Sequence, residues 1–125
     1  MMATNMNEAQ AKQKYIIMSP RKLRRVVDTI RGKQVPEAYN ILRLMTFEAA
    51  RVVLKKLIEA TSNAQVMFGV EDPSMLIVSR AFADEGPSYR RYKPRAQGRI
   101  YRREKPTSHL TIAVAIKETK HSEAK

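Results

Sequence analysis

A strongly cationic segment between two stretches with the pattern of β-strands constrains this chain more than any other feature. Residues 75–83 are rich in β-prone side chains, and in residues 110–116 large apolar side chains alternate with small ones. A period of two marks a strand that packs one face on a core. Residues 84–109, which connect the two stretches, contain too few apolar side chains to cover a core of their own. The pattern therefore predicts an antiparallel strand pair whose connection projects as a basic β-hairpin.

The register of the two strands determines where this hairpin turns. If Leu76 lies near Ile116, the midpoint of the pair is Ala96, and the tip falls near residues 94–98. Counted from Gly86, the arm that reaches Ala96 projects roughly 33 Å at ~3.3 Å per residue. The alternative is a disordered basic linker. The flanking strand patterns, and a proline at the expected turn, favour the hairpin.

The composition of the hairpin indicates what stabilises it. Residues 89–106 hold eight basic residues and one acidic residue. A two-stranded ribbon is marginally stable in water, and repulsion among its cations weakens it further. A polyanion supplies a scaffold, because arginine binds phosphate through paired hydrogen bonds and tyrosine stacks on unpaired bases. Six arginines are interleaved with Tyr89, Tyr92 and Tyr101 in this segment.

A second basic block lies near the start of the chain. Residues 19–34 hold six basic residues and one acidic residue. Ser19 and Pro20 predict a helix start, as N-cap and first turn, and Gly32 predicts its end after Arg31. The apolar stripe of this helix leaves its cations mostly on the outer face; it consists of Leu23, Val26, Val27 and Ile30. Two such blocks, within a net charge of +12 and a pI near 10.3, indicate a polyanionic partner.

A longer helix is predicted to form the centre of the core. Thr46 is its expected N-cap, the helix continues to about Asn63, and residues 66–74 are expected to form a loop. The residues predicted to share its apolar face are Ala50, Val53, Leu54, Leu57, Ile58 and Thr61.

The remaining segments fill out one domain of ordinary size. A short helix opens at Val35 and Pro36 and runs to about Leu44, while residues 1–13 are expected to form a polar, mobile lead-in. The predicted fold class is α+β, with three helices packed on a small antiparallel sheet and a long basic β-hairpin projecting from it. Within a single domain of residues 1–125, we expect a body at about 11–85 and 107–117, a hairpin at about 86–106, and mobile termini at 1–10 and 118–125.

Catalytic and metal sites are not indicated. The chain has no cysteine, and its only histidines, His109 and His121, are far apart in sequence, so we expect no metal and no cofactor. Asp84 and Glu85 are adjacent on a strand and point to opposite faces, which does not suit an acid–base pair. We expect a protein that is not an enzyme. No run of 18 apolar residues is present, so a membrane partner is not expected, and the cytoplasm is the default location.

Five motifs in register resemble one known family. They lie at residues 19–22 with 30–33, 60–64, 84–88, 94–99 and 107–111, and the match spans residues 11–117. Their order and sequence are similar to those of the bacterial large-subunit ribosomal protein twenty-two family. The resemblance implies a body on the outer surface of the large subunit and a hairpin that reaches inward to line the nascent polypeptide exit tunnel.

The resemblance also implies partners: large-subunit rRNA, neighbouring large-subunit ribosomal proteins, and the nascent polypeptide passing the tip, with no obligatory homo-oligomer. The candidate rRNA contacts are Ser19, Arg21, Lys22, Arg24, Arg25, Arg31, Lys33, Arg90, Arg91, Lys93, Arg95, Arg99, Arg102, Arg103, Lys105 and His109. The candidate tunnel-lining tip consists of Tyr89, Arg90, Arg91, Tyr92, Lys93, Pro94, Arg95, Ala96, Gln97, Gly98 and Arg99.

Two other classes of protein remain as alternatives. Architectural DNA-binding proteins also use a basic β-ribbon with a proline near its tip, but they bind duplex minor grooves, usually as dimers. The tyrosines interleaved with arginine favour RNA instead. An RNA-modifying enzyme would need a catalytic constellation that the sequence does not contain.

Overall fold

The structure is a computed structural model that describes residues 8–94, 96–98 and 100–116. Of the expected mobile termini, residues 1–7 and 118–125 lie outside these ranges, whereas residues 8–10 lie within them. Within these ranges the chain forms three α-helices and five strands: β1 (Glu8–Ile16), α1 (Pro20–Ile30), α2 (Val35–Leu44), α3 (Glu48–Phe68), β2 (Leu76–Glu85), β3 (Tyr89–Pro94), β4 (Ile100–Lys105) and β5 (Ser108–Ile116).

A three-stranded antiparallel sheet, in the order β1-β5-β2, carries the helices on one face. Its central strand is β5, and Leu76 pairs with Ile116 as the sequence predicts. Leu110, Ile112 and Val114 of β5 are buried in the core against the helices. The predicted α+β fold class, with three helices on a small antiparallel sheet, is confirmed.

The first strand shows that the mobile lead-in predicted for residues 1–13 is wrong over residues 8–13. Glu8 pairs with Ala115, and the ladder continues along β1 until the register shifts between Gln13 and Ile16. The inward-facing residues at this end of β1 are Ala9 and Ala11, which are buried. Because alanine gives a weak apolar alternation, the strand pattern is hidden in the sequence.

Helix α1 follows the prediction closely, and α2 has the predicted bounds, Val35 to Leu44. The Ser19 hydroxyl accepts a hydrogen bond from the backbone N–H of Arg21 at 3.3 Å, so Ser19 is the N-cap of α1. The helix ends at Ile30, and Gly32 takes the left-handed conformation, with φ of +81°. The buried residues of α1 are Pro20, Leu23, Val26, Val27 and Ile30.

Helix α3 departs from the prediction at both ends. Its N-cap is Phe47 rather than Thr46, and no side chain caps it. The helix continues past Asn63 to Phe68, so the loop predicted to begin at residue 66 is wrong over its first three residues. Gly69, with φ of +70°, ends the helix and donates its N–H to the Gln65 carbonyl.

The buried face of α3 is also rotated from the predicted one. Ile58 is 48% exposed, while Ala60 and Ala64 are fully buried. Small side chains at these positions let the helix approach β1 closely, and the Asn63 side-chain amide donates to the Gln10 carbonyl at 3.0 Å. Leu57 and Val53 are buried as predicted.

The loop after α3 is held by local hydrogen bonds. The Asp72 carboxylate accepts from the Ser74 backbone N–H at 3.0 Å, and this bond lowers the pKa of Asp72. A single turn of 3-10 helix at Pro73–Met75 then leads into β2.

On the sheet face opposite the helices, one ion pair connects the two edge strands. Nη2 of Arg80 lies 3.1 Å from Oε1 of Glu8, whose side chain is only 6% exposed. The Ser79 hydroxyl donates to the other Glu8 oxygen at 2.7 Å, beside a register shift in β2. This contact gives the first residue of β1 a fixed position.

Candidate nucleic-acid interface

The basic hairpin is a separate two-stranded sheet made of β3 and β4. Its register pairs Tyr89 with Lys105 at the base and Pro94 with Ile100 near the tip. The turn includes Ala96–Gly98, where Gln97 and Gly98 both have positive φ. The predicted tip at residues 94–98 is therefore confirmed.

A close-packed junction joins this ribbon to the three-stranded sheet. Gly86 donates its N–H to the Thr107 carbonyl at 2.9 Å, and the Thr107 hydroxyl donates to the Pro87 carbonyl. A Cβ atom on Gly86 would lie 2.6 Å from Oγ1 of Thr107 and 3.0 Å from Cε1 of His109. Glycine is therefore required where the chain passes from β2 towards β3.

The register of the ribbon places one pair of like charges directly opposite each other, Arg91 and Arg103. The neighbouring pair, Arg90 and Glu104, has opposite charges. Like charges at directly opposed positions destabilise a strand pair. Within the part of the chain that the structure describes, β3 and β4 pack chiefly on each other. With eight basic residues and one acidic residue over positions 89–106, the ribbon has an excess of positive charge that favours a polyanionic partner.

The tip residues divide into those that the structure describes and those that it does not. Tyr92 is 66% exposed and Tyr89 40% exposed, and Arg90, Gln97, Gly98 and Lys105 are also exposed. The backbone of β3 and β4 places Arg91, Lys93, Pro94, Arg102 and Arg103 on the ribbon, and Ala96 begins the turn. Arg95 and Arg99 lie outside the described residues.

The outer face of α1 forms the second cationic surface. Arg21, Lys22, Arg24 and Arg25 are all exposed, as the predicted apolar stripe requires. The guanidinium carbon of Arg25 lies over the ring of Phe47, 5.7 Å from its centroid. Among the described residues, no hydrogen-bond or ion-pair partner is found for the side chains of Arg21 and Lys22, which are exposed.

Two arginines of the candidate set bind the protein itself. Nε of Arg24 donates to the Ala83 carbonyl at 3.0 Å. Arg31 donates to the Ala81 carbonyl from Nε at 3.1 Å and from Nη2 at 2.7 Å, and it also pairs with Asp28 at 2.9 Å. These bonds cover the outer edge of β2, which would otherwise present free carbonyl groups.

Three further candidates have structural roles as well. Ser19 caps α1, and the Lys33 carbonyl accepts from the Val78 N–H at 2.9 Å while the Lys33 side chain remains exposed. His109 accepts the Tyr15 backbone N–H on Nδ1 at 3.1 Å, and its ring meets that of Tyr15 edge-on. His109 is thus oriented by β1 at the root of the hairpin.

Sequence reasoning missed Phe47, which joins this cationic surface through Arg25. Its side chain is 47% exposed. The available signal was an aromatic residue at a helix start, where Ser, Thr, Asp or Asn is preferred.

Within the described ranges, no three His, Cys, Asp or Glu side chains come together as a group that could hold a metal ion. None of the helices in these ranges has both the length and the apolar character needed to cross a membrane.

Comparison with known proteins identifies the family. The family described as Ribosomal protein L22p/L17e matches residues 11–115. Large ribosomal subunit protein uL22 of Acaryochloris marina is 52% identical over 89% of this chain and 92% of its own length. The uL22 protein of Crocosphaera subtropica is 55% identical over 86% of this chain and 89% of its own length. That of Thermosynechococcus vestitus is 45% identical over 95% and 97%, respectively. The match spans both the helical body and the basic ribbon, and the chain therefore belongs to the ribosomal protein L22 family.

Proposed function

We propose that this chain binds large-subunit rRNA through two surfaces, the outer face of α1 and the β3–β4 ribbon. The observation that carries the proposal is the ribbon itself. It is a two-stranded sheet with eight basic residues and one acidic residue between positions 89 and 106, and its register places Arg91 opposite Arg103. Phosphate groups balance this excess of positive charge.

Family membership establishes the general function of the chain. The chain is a structural constituent of the large ribosomal subunit, it binds rRNA, and it is not an enzyme. In bacteria the ribosome lies in the cytoplasm. The comparisons give no support to the alternative of an architectural DNA-binding protein.

Within that function, the three exposed cations Arg21, Lys22 and Arg25 are the side chains of α1 best placed to meet phosphates. Arg24 and Arg31 are held by carbonyl groups of β2, so their role is first to fix α1 on the sheet. An arginine with a free N–H still contacts a phosphate, because its guanidinium has five donors.

The tip of the ribbon is proposed to line the nascent-chain exit tunnel. The turn at Ala96–Gly98 lies at the end of the ribbon opposite its junction with the three-stranded sheet, and Tyr92, Gln97 and Gly98 are exposed. A narrow, two-stranded arm reaches through folded RNA where a thicker element would not pass. Its exposed tip then contacts the nascent polypeptide in the tunnel.

The division into a body and an arm is a further part of the proposal. The core of the body is built from the three helices and the three-stranded sheet. A core completed within one chain removes the need for an obligatory homo-oligomer. Neighbouring ribosomal proteins then contact the remaining exposed surface of the body.

A photo-crosslinking experiment tests the placement of the tip. A crosslinking amino acid at Gln97 is expected to label a stalled nascent chain in ribosomes that carry this protein. The same group at Ser62, an exposed position on α3, is the control and is expected to label none. Equal labelling from both positions, or none from Gln97, would contradict the tunnel-lining role.

A further inference from the structure

A cavity lies beside the cationic face of α1, away from the hairpin. It has a volume of about 410 Å³ and is enclosed by the β1–α1 loop, α1 and the start of α3. This volume is within the range of roughly 300–1,000 Å³ that is typical of small-molecule sites. The cavity is separate from the ribbon, because none of the described residues of the ribbon lines it.

The cavity is lined by both apolar and charged side chains. Its apolar lining residues are Ile17, Met18, Phe47 and Ala49. Its charged lining residues are Glu48 and the two cations Lys22 and Arg25, which lie about one helical turn apart on α1. Ile17 is 58% exposed and Phe47 is 47% exposed. Large apolar side chains are therefore presented to solvent directly beside two positive charges.

The wall beside α1 is held in place by hydrogen bonds. The buried Ser108 hydroxyl donates to the Met18 carbonyl at 2.6 Å, and the Met18 N–H donates to the Ile16 carbonyl at 2.8 Å. A wall fixed in this way needs no ordering when a ligand enters, so less of the binding free energy is lost.

Phe47 occupies a position where its residue type is unfavourable for the helix. It is the N-cap of α3 but makes no capping hydrogen bond, although Thr46, a better N-cap residue, precedes it. The Phe47 ring instead contacts Arg25, whose guanidinium carbon lies over the ring, 5.7 Å from its centroid. Together the ring and the guanidinium group form a flat surface. Flat aromatic and guanidinium groups are what unpaired bases stack on.

From these observations we infer that the cavity accepts one unstacked nucleobase of the rRNA, with the adjoining phosphates on Lys22 and Arg25. The inference rests on the proposed rRNA contact of α1 and assigns that contact its ligand. Glu48, at the same cavity, disfavours a phosphate deep inside and accepts a hydrogen bond from an exocyclic amino group. Adenine, cytosine and guanine carry such a group and uracil does not, so one of these three is the expected base.

Phe47→Leu provides the test, because leucine keeps an apolar side chain but removes the stacking surface. Tyr39→Leu is the matched control. Tyr39 is also an exposed ring under an arginine, with Arg43 at 5.7 Å, but it does not line the cavity. The probe is in vitro transcribed large-subunit rRNA, bound to the full chain at several salt concentrations.

Phe47→Leu is expected to weaken binding about 5- to 150-fold, which is the fold-change that corresponds to the stacking of one base. Its slope of log affinity against log salt should equal that of the wild type, since stacking releases no counterions. Tyr39→Leu is expected to stay within about twofold of the wild type, and Phe47→Tyr should retain affinity because it keeps the ring.

A second readout locates the effect on the RNA. In the wild-type complex, dimethyl sulfate should leave one unpaired adenine, cytosine or guanine unmodified. With Phe47→Leu or Lys22→Ala that base should become reactive, while the other bases protected by the protein stay protected. If wild-type protein binds rRNA but Phe47→Leu behaves like Tyr39→Leu, the base-binding inference is overturned and the proposed function stands. If the defect arises only when other ribosomal proteins are added, a protein segment fills the cavity and the inference is again wrong. If wild-type protein fails to bind rRNA, the proposed function itself fails.

Discussion

Nη2 of Arg31 donates a hydrogen bond of 2.7 Å to the carbonyl oxygen of Ala81. Arg31 follows the last residue of α1, and Ala81 lies in the edge strand β2. A residue that the sequence indicates as an RNA contact therefore also fixes a helix to a sheet edge. The candidate cations of α1 thus form two groups. Replacing Arg24 or Arg31, which bind carbonyl groups of β2, should lower stability, whereas replacing Arg21, Lys22 or Arg25 should mainly weaken RNA binding.

Arg31→Ala is expected to lower the free energy of unfolding by about 1–2 kcal/mol, because a hydrogen bond from a charged donor to a partly buried carbonyl is lost. Arg21→Ala, which removes an exposed cation on the same helix, should change stability by less than about 0.5 kcal/mol. Urea denaturation of both variants measures the difference. Equal stabilities would show that the Arg31 contact contributes nothing.

Replacing Arg21 and Arg25 together by alanine should flatten the slope of log affinity against log salt by about 1.5–2 units. The matched control replaces Arg51 and Lys55, which are exposed cations on α3, and should leave the slope close to that of the wild type. Filter binding to large-subunit rRNA between low and moderate salt provides the measurement. A similar change in both double variants would mean that only net charge matters.

Leu57→Ala should cost about 2–5 kcal/mol of unfolding free energy, because Leu57 is 1% exposed at the centre of the core. Its neighbour Ile58 is 48% exposed, and Ile58→Ala should cost less than about 1 kcal/mol. Thermal or chemical unfolding of the two variants measures both losses. A larger loss of stability for Ile58→Ala than for Leu57→Ala would contradict the burial of the Leu57 face of α3.

Gly86→Ala is expected to disrupt the junction between sheet and ribbon, since the new Cβ would lie 2.6 Å from Oγ1 of Thr107. The expected cost is about 1–3 kcal/mol, as for other forms of overpacking. Ser88→Ala, two residues further along in an exposed position, is the control and should be nearly neutral. NMR shifts of Thr107 and His109 would report the change locally.

Hydrogen exchange should distinguish the ribbon from the body in the free protein. Amides of β3 and β4 are expected to exchange much faster than those of α3, because few apolar contacts protect an isolated strand pair. Binding to rRNA should slow exchange in the ribbon. Deletion of residues 90–99 should leave the body folded. Protection of the free ribbon equal to that of α3 would show that it needs no RNA scaffold.

The elements that were predictable from sequence are those with strong local signals. Ser19 and Pro20 mark the start of α1 correctly, and the alternation over residues 110–116 identifies the central strand and its pairing with β2. The register of that pair in turn locates the hairpin tip, because the positions of two paired strands determine the midpoint of their connection.

The parts that were not predictable depend on tertiary contacts. β1 presents Ala9 and Ala11 to the core, and two methyl groups do not give a recognisable strand pattern. The end of α3 passed its predicted limit because Gly69, rather than Asn63, supplies the left-handed residue that ends it. The roles of Arg24 and Arg31 depend on carbonyl groups about 50 or more residues away in sequence, which periodicity cannot reveal.

The bond from Arg24 to Ala83 has a mechanical consequence for the ribbon. Ala83 lies three residues before Gly86, where the chain leaves the sheet, so α1 clamps the strand that continues into the hairpin. An arm of roughly 33 Å at ~3.3 Å per residue acts as a lever, and each degree of rotation at its root displaces the tip by about 0.6 Å. In the proposed rRNA complex, α1 contacts the RNA through its exposed cations and also holds β2 through Arg24, so the direction of the ribbon is set before its tip makes contact.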